Sequence, residues 1–363
     1  MDNTNRITYL DGHRGLAIIL VAMFHAYTRW PDLVPYGSEY ANFPLFQYGY
    51  FGVQLFFLIS GFVILMTLDK CSSLKTFIYK RWLRLFPAML VCSLFIFTTT
   101  SFFYERPYGQ PNTLDLIPGL TFVEPYIWEK VTGLSFRSIE GAFWSLYVEF
   151  KFYIFSAFVY FLFGRVFLII ALALAFFSFV FIDIVNQSID SRYAYLAYIL
   201  VDHLDFRYFG WFASGCSYYL FYKTNKLFWF LIGMAMSVFS SFVSAGSETI
   251  ELIFILVITL VFGFSVISQV AQKILSNKLL VFFGFVSYPL YLIHENMMIS
   301  LIIKLNEFVP IIPGYALPIV SIAFVLVVAY VVAKYLESPV KHSIDNLKKQ
   351  LWSYMGNMKK IRA

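Results

Sequence analysis

Arg14 and His25 lie in the stretch Tyr9-Leu-Asp-Gly-His-Arg-Gly-Leu-Ala-Ile-Ile-Leu-Val-Ala-Met-Phe-His-Ala26, where an aliphatic block separates a charged, glycine-bearing start from a late histidine. Eleven steps of ~100° return to nearly the same face of a helix, and at about 1.5 Å per residue the two lie about 16 Å apart. A cation at one end of an apolar helix and an imidazole most of the way across are costly in lipid. Polar groups at such depth face a protein interior or a watery cavity and are candidates for function. A helix-end charge plus one hydrogen-bonded packing histidine accounts for the same stretch, and the stretch by itself leaves the two readings evenly matched. A second cationic pair, Arg81 and Arg84, shares one helix face at i, i+3. Guanidinium forks match phosphate geometry, so Arg14, Arg81 and Arg84 at one level can clamp a phosphate-bearing ligand. Anchoring of helix ends by basic residues explains them as well.

The elements that must position these residues are membrane spans. Of 363 residues 60% are hydrophobic, 21% aromatic and 13% charged, with a mean hydropathy of +0.72. Soluble domains carry about 25% charged residues, so the composition is that of an all-α integral membrane protein. Apolar segments long enough for ~30 Å of hydrocarbon fall at 8–28, 45–68, 76–103, 143–163, 165–183, 206–222, 226–245, 250–270, 279–303 and 315–337. That makes about ten transmembrane helices, with Gly164-Arg165 as the tight turn that divides 143–183. The first is expected to be a retained span rather than a cleaved leader. No internal repeat of the inverted-transporter kind is visible.

Loop charge orients the spans. Lys70, Lys75, Lys80, Arg81 and Arg84 stand against Asp69 alone, and the connections at 223–226 and 273–278 and the tail after Pro339 are basic. The alternate loops, 104–142, 183–205 and 246–251, are rich in Asp and Glu. By the excess of Lys and Arg in cytoplasmic loops, both termini are cytoplasmic. The net charge of +6 is that loop bias, and no nucleic-acid partner is implied. Residues 1–340 form the transmembrane domain, and 341–363 a basic cytoplasmic tail expected to lie on anionic lipid as an interfacial helix. Aromatics mixed with acids in 104–142, and the short apolar piece 193–201, suit saccharide contacts or an interfacial aromatic belt. Cys71, Cys92, Cys216 and the five histidines show no metal-ligand spacing, so no metal is expected.

With this orientation Glu149 lies about two turns into a helix entering from outside and His25 late in one entering from inside. Both fall in the outer half of the bilayer by rise per residue, where a carboxylate can orient an imidazole and stabilise its cation. Lys151 is the alternative neutraliser of Glu149. His294, in Ser287-Tyr-Pro-Leu-Tyr-Leu-Ile-His294-Glu295-Asn296, is a second intramembrane histidine, and Glu337-Ser-Pro339 closes the last span.

Taken in order, Leu10-Asp-Gly-His-Arg-Gly15 with His25, Phe56-Phe-Leu-Ile-Ser-Gly-Phe62, the Arg81/Arg84 segment, Trp144-Ser-Leu-Tyr-Val-Glu149, Ser287–His294 and Glu337-Ser-Pro339 make the chain resemble the acyltransferase-3 family of membrane acyltransferases. The resemblance implies ten helices and a bacterial inner-membrane location. It also implies an acyl-CoA donor, commonly acetyl-CoA, used as a substrate rather than a resident cofactor. The acceptors it implies are extracytoplasmic glycans such as lipopolysaccharide O-antigen, exopolysaccharide or peptidoglycan. The family's arginine–histidine motif falls on Arg14 and His25 and its paired arginines on Arg81 and Arg84. His13 departs from the family's apolar residue and is given no catalytic role. Some members carry a further esterase-like domain, so a separate periplasmic partner is expected for any second transfer.

The expected chemistry is O-acylation. Arg14, Arg81 and Arg84 bind the donor, His25 takes the acceptor's hydroxyl proton and Glu149 orients His25. A covalent acyl-histidine relay is the variant mechanism. A transporter of polyprenol-linked glycan or solute, using the same polar cavity, is the alternative from another class, and an inactive membrane scaffold a third.

Overall fold

The computed structural model describes residues 7–246 and 248–361, the last eleven by backbone alone. Among the described residues there is no strand; the chain is a bundle of helices with short helical pieces in its loops. The main helices are α1 (Thr8–Tyr27), α2 (Gly52–Leu68), α3 (Leu74–Thr99), α4 (Trp144–Phe163), α5 (Arg165–Ser188), α6 (Arg192–His203), α7 (Phe209–Thr224), α8 (Leu227–Ser244), α9 (Thr249–Ile267), α10 (Gln269–Leu275), α11 (Lys278–Phe308), α12 (Leu317–Val331) and α13 (Glu337–Ile361).

Among the described residues, seven helices are long and apolar enough to cross a membrane, or eight if α10 and α11, bent by 64° at their junction, count as one span. Each of the ten expected spans coincides with a helix, but three are marginal by length or composition. α1 carries Asp11, His13, Arg14 and His25, α7 has only 16 residues, and α11 needs its bent partner. Outward faces are studded with exposed Phe158, Leu162, Phe181, Leu231 and Val257, the side of each helix that a lipid solvent would cover.

Local sequence sets the helix ends. Ser73 caps α3 by accepting from the Thr76 N–H at 3.3 Å, and Asn277 caps α11 by accepting from the Leu280 N–H at 2.9 Å, each satisfying an orphan donor of a first turn. The turn between α4 and α5 is Gly164 alone, at φ 87° and ψ 179°, a conformation open essentially only to glycine. The short apolar piece expected at 193–201 is α6, with Tyr193, Leu196 and Leu200 exposed. The chain does not break at 340: α12 passes through a π-helical turn at Val332–Leu336 into α13. Of the tail's basic residues, Arg362 lies outside the described residues.

The centre of the bundle is the crossing of α1 and α11. A Cβ on Gly284 would stand 2.0 Å from the carbonyl oxygen of Asp11, so only glycine lets the two backbones approach so closely. The helices run in the same direction, since Asp11 meets Gly284 at one end and His25 meets His294 at the other. Helices α2, α4 and α7 run parallel to one another. Phe57 touches Trp144 and Phe212, and further along Asp69 accepts from the Tyr160, Tyr219 and Lys223 side chains.

Candidate active site

Arg14 leaves α1 on the face turned toward α3. Its Nη1 donates to Asp11 Oδ1 at 2.9 Å, one turn back. From α3, Arg81 donates to Thr67 Oγ1 at 3.1 Å and lies over the Tyr153 ring at 5.8 Å. Its buried Nε finds no partner among the described residues. Arg84, on the same face of α3, pairs with Glu337 at 3.3 Å and lies over Tyr288 at 5.7 Å. The π-helical turn immediately precedes Glu337, and such turns recur at functional positions.

The three arginines line one cavity, open at its mouth. Glu149 lines the same cavity. Its Oε1 accepts from the Tyr153 hydroxyl at 2.5 Å and from Ser60. The far wall holds Ser145 and Tyr291, whose hydroxyls are 2.7 Å apart.

The structure does not bring Glu149 to His25. α4 begins only at Trp144, after a 3-10 turn at Gly141–Phe143, and it is Ala142 that lies at the depth of the histidine. Seven residues further on, Glu149 is about 10 Å deeper along the helix, among the arginines. Nor does Lys151 neutralise Glu149; it pairs with Glu124 at 2.9 Å and Asp205 at 2.7 Å.

His25 stands beyond the cavity's far wall. Its Nδ1 donates to the Val21 carbonyl at 2.9 Å and approaches His294 Nε2 at 3.2 Å. The two rings are edge to face, centroids 4.7 Å apart. His294 Nδ1 donates to the Tyr291 carbonyl at 2.9 Å, and the Tyr291 ring lies 5.6 Å from the His294 ring. Tyr291 thus separates cavity from histidines and touches both. The carboxylate that reaches His25 is Glu295, with Oε1 3.5 Å from His25 Nε2 and Oε2 accepting from the Ala142 N–H at 2.9 Å.

Around this cluster the first long loop folds inward. Arg106 and Glu140 are buried 3.8 Å apart, and Glu140 accepts from the Asn296 N–H at 3.1 Å. Burial pushes the Glu140 carboxyl up to about 8, against the pull of Arg106. His13 lies apart, buried under Phe262, its Nε2 2.8 Å from Ser265 Oγ.

Sequence reasoning quoted Glu295 inside the His294 segment without assigning it a role. The available signal was a carboxylate directly following a histidine in an apolar span, where an ionisable side chain is expensive. Ser60 and Ser145 carried no comparable signal, since a serine hydroxyl in a span can be satisfied by its own backbone, and Tyr153 is one of many tyrosines in the chain.

The chain was compared with known proteins. The acyltransferase-3 family model, an acyltransferase domain, matches residues 7–336. A "putative acetyltransferase" of Acidianus two-tailed virus is 23% identical over 291 residues, covering 77% of this chain and 80% of the viral protein. A "putative O-acetyltransferase" of Staphylococcus aureus (strain COL) is 29% identical over 157 residues, 40% of this chain. That match spans 23% of the staphylococcal protein, under a quarter of its length. No solved structure matched. With an acyltransferase model covering nearly the whole of a multi-pass helical bundle, the chain belongs to the acyltransferase-3 family and is a membrane acyltransferase.

Proposed function

We propose that the protein is an O-acyltransferase that moves an acyl group, acetyl by the family's habit, from acyl-CoA on the cytoplasmic side to a hydroxyl of an extracytoplasmic glycan, of the lipopolysaccharide O-antigen or exopolysaccharide kind, in a bacterial inner membrane. The observation that carries this reading is the single cavity lined by Arg14, Arg81 and Arg84, with His25 just beyond its far wall. Three guanidiniums, one with a buried unpartnered N–H, are chemistry for phosphates. The extended arm of the donor would run from them along the cavity past Glu149 toward Tyr291, bringing its thioester to the histidine.

The ten-span topology with both termini inside is part of the proposal. It is supported by the directions of the helices: α1 and α11 run parallel, as spans one and nine must, and α2, α4 and α7 run parallel, as spans two, four and six must.

In the transfer, His25 Nε2 takes the proton of the acceptor hydroxyl as its oxygen attacks the thioester carbonyl. The C–S bond breaks and the imidazolium returns the proton to the departing thiolate, so the products are an O-acyl ester and CoA thiol. Nδ1–H, held by the Val21 carbonyl, leaves Nε2 as the basic nitrogen.

The test uses membranes containing the full chain and the host's own glycans, supplied with labelled acetyl-CoA. His25→Ala is expected to lower labelling of the glycan fraction by about 10²- to 10⁴-fold, the usual contribution of a general base. Transfer at the wild-type rate would overturn the proposal, and glycan translocation without thioester consumption would favour a transporter.

A further inference from the structure

The His25 ring is bracketed by two consecutive residues of α11. His294 Nε2 faces Nδ1 at 3.2 Å, and Glu295 Oε1 faces Nε2 at 3.5 Å. A carbonyl oxygen can only accept, so the contacts to Val21 and Tyr291 put the proton of each neutral histidine on Nδ1. His294 Nε2 is then an acceptor for the same Nδ1–H that Val21 holds, and His25 has its bare nitrogen turned toward Glu295.

His294, Glu295 and Asn296 are three successive polar residues, each no more than 2% exposed. A buried polar side chain needs partners, and Asn296 has them in the Ile139 carbonyl at 3.0 Å and the Tyr108 N–H at 3.1 Å. Glu295 differs: one oxygen accepts from a backbone N–H, while the other faces, 3.5 Å away, a basic nitrogen that is itself an acceptor. A mere latch for the Ala142 turn would need no charge, because a neutral amide oxygen accepts that N–H equally well. With the ring neutral, neither the second oxygen nor Nε2 has a proton to share, so the Nε2 lone pair stays open. That oxygen is placed where an imidazolium N–H appears once a proton has been taken.

We propose that Glu295 is the positioning residue of the transfer. Anchored to the start of α4 through the Ala142 N–H, it holds a carboxylate oxygen at Nε2 and so orients and stabilises the imidazolium formed when the acceptor hydroxyl gives up its proton. The inference rests on the acyl-transfer reading of His25. Glu295 acts through that ring and exchanges no proton with either substrate.

The experiment compares Glu295→Gln, Glu295→Asp and His25→Ala in the full chain, in host membranes with labelled acetyl-CoA. The readouts are kcat and the KM for acetyl-CoA. Glu295→Gln keeps the acceptor for the Ala142 N–H and removes only the charge. It is expected to lower kcat by about 10²- to 10⁴-fold, the upper figure being the effect of neutralising the carboxylate partner of a catalytic histidine, with KM within about twofold of wild type; Glu295→Asp recovers part of the loss. Wild-type kcat in Glu295→Gln alongside an inactive His25→Ala would overturn this inference and leave the acyl-transfer reading standing. A change confined to KM, or failure of Glu295→Gln to accumulate in the membrane, would equally overturn it, the latter by showing a structural need for the carboxylate. Full activity of His25→Ala would remove the underlying reading itself.

Discussion

The two ends of α1 are built on opposite principles. Arg14 opens onto a cavity, the arginines there are partly exposed, and Arg81 has a buried N–H with no partner among the described residues. The His25 ring lies between His294 and Glu295, and Glu295 is itself tied to Ala142. A large, charged, mobile ligand needs volume and donors to spare. A proton transfer needs a few groups whose positions do not vary. On the proposed reading, the contrast divides binding from chemistry along one helix.

Rate and affinity should therefore respond separately at the two ends. The largest effect expected is the loss of kcat in His25→Ala, with KM for acetyl-CoA unchanged; a change in KM of the same size would erase the division. Next come Arg81→Ala and Arg84→Ala, each expected to raise KM for acetyl-CoA by about tenfold, the worth of one charge-assisted hydrogen bond, while kcat stays within about twofold. Initial-rate kinetics across acetyl-CoA concentrations separate the two. Arg81→Lys keeps the charge but not the planar fork and should fall between.

Glu337→Gln should act in the opposite sense. Glu337 pairs with a half-exposed Arg84, and such pairs are worth at most about 1 kcal/mol. Releasing Arg84 should lower KM by no more than about fivefold, and a rise in KM would show that Glu337 helps to hold the donor.

The smallest effect concerns charge at the closed end. The folded-state value of Glu140 lies above its ordinary 4.5, at about 8. Its contribution to stability is therefore fully present below about pH 4.5 and is lost as pH rises through about 8. Glu140→Gln, permanently neutral, should melt a few degrees higher than wild type at pH 9 and equally at low pH, measured by thermal unfolding in detergent. A flat wild-type profile would mean that Arg106 holds Glu140 ionised.

Much of this was legible in the residues. Apolar run length marked a helix at each of the ten expected segments, though not α10 or the short loop helices, and Gly164-Arg165 marked the turn between α4 and α5, because glycine alone takes the required backbone angles. The three arginines were grouped by depth, and the fold lines one cavity with them. The partner of His25 was not legible. The expected start at 143 is within one residue of where α4 begins, but counting along one helix does not give its offset against another, and Ala142, not Glu149, is level with the imidazole. Which side chain of α11 meets that ring follows from a crossing set by Gly284 against Asp11, a contact between segments more than 270 residues apart. Patterning within either helix carries no record of it.

That crossing bears on how substrates enter. Carriers that alternate access rock one bundle of helices against another around a central site. Here the surface that would shear is the α1–α11 contact, where the backbones touch through glycine and the reactive ring lies between neighbouring side chains. A slip of one residue, about 1.5 Å, would strip His25 of both partners. The pair serves as a keel. Any widening of the cavity would have to come from α2, α3 and α4, which wall it together with Arg14 of α1 and Ser287, Tyr288 and Tyr291 of α11.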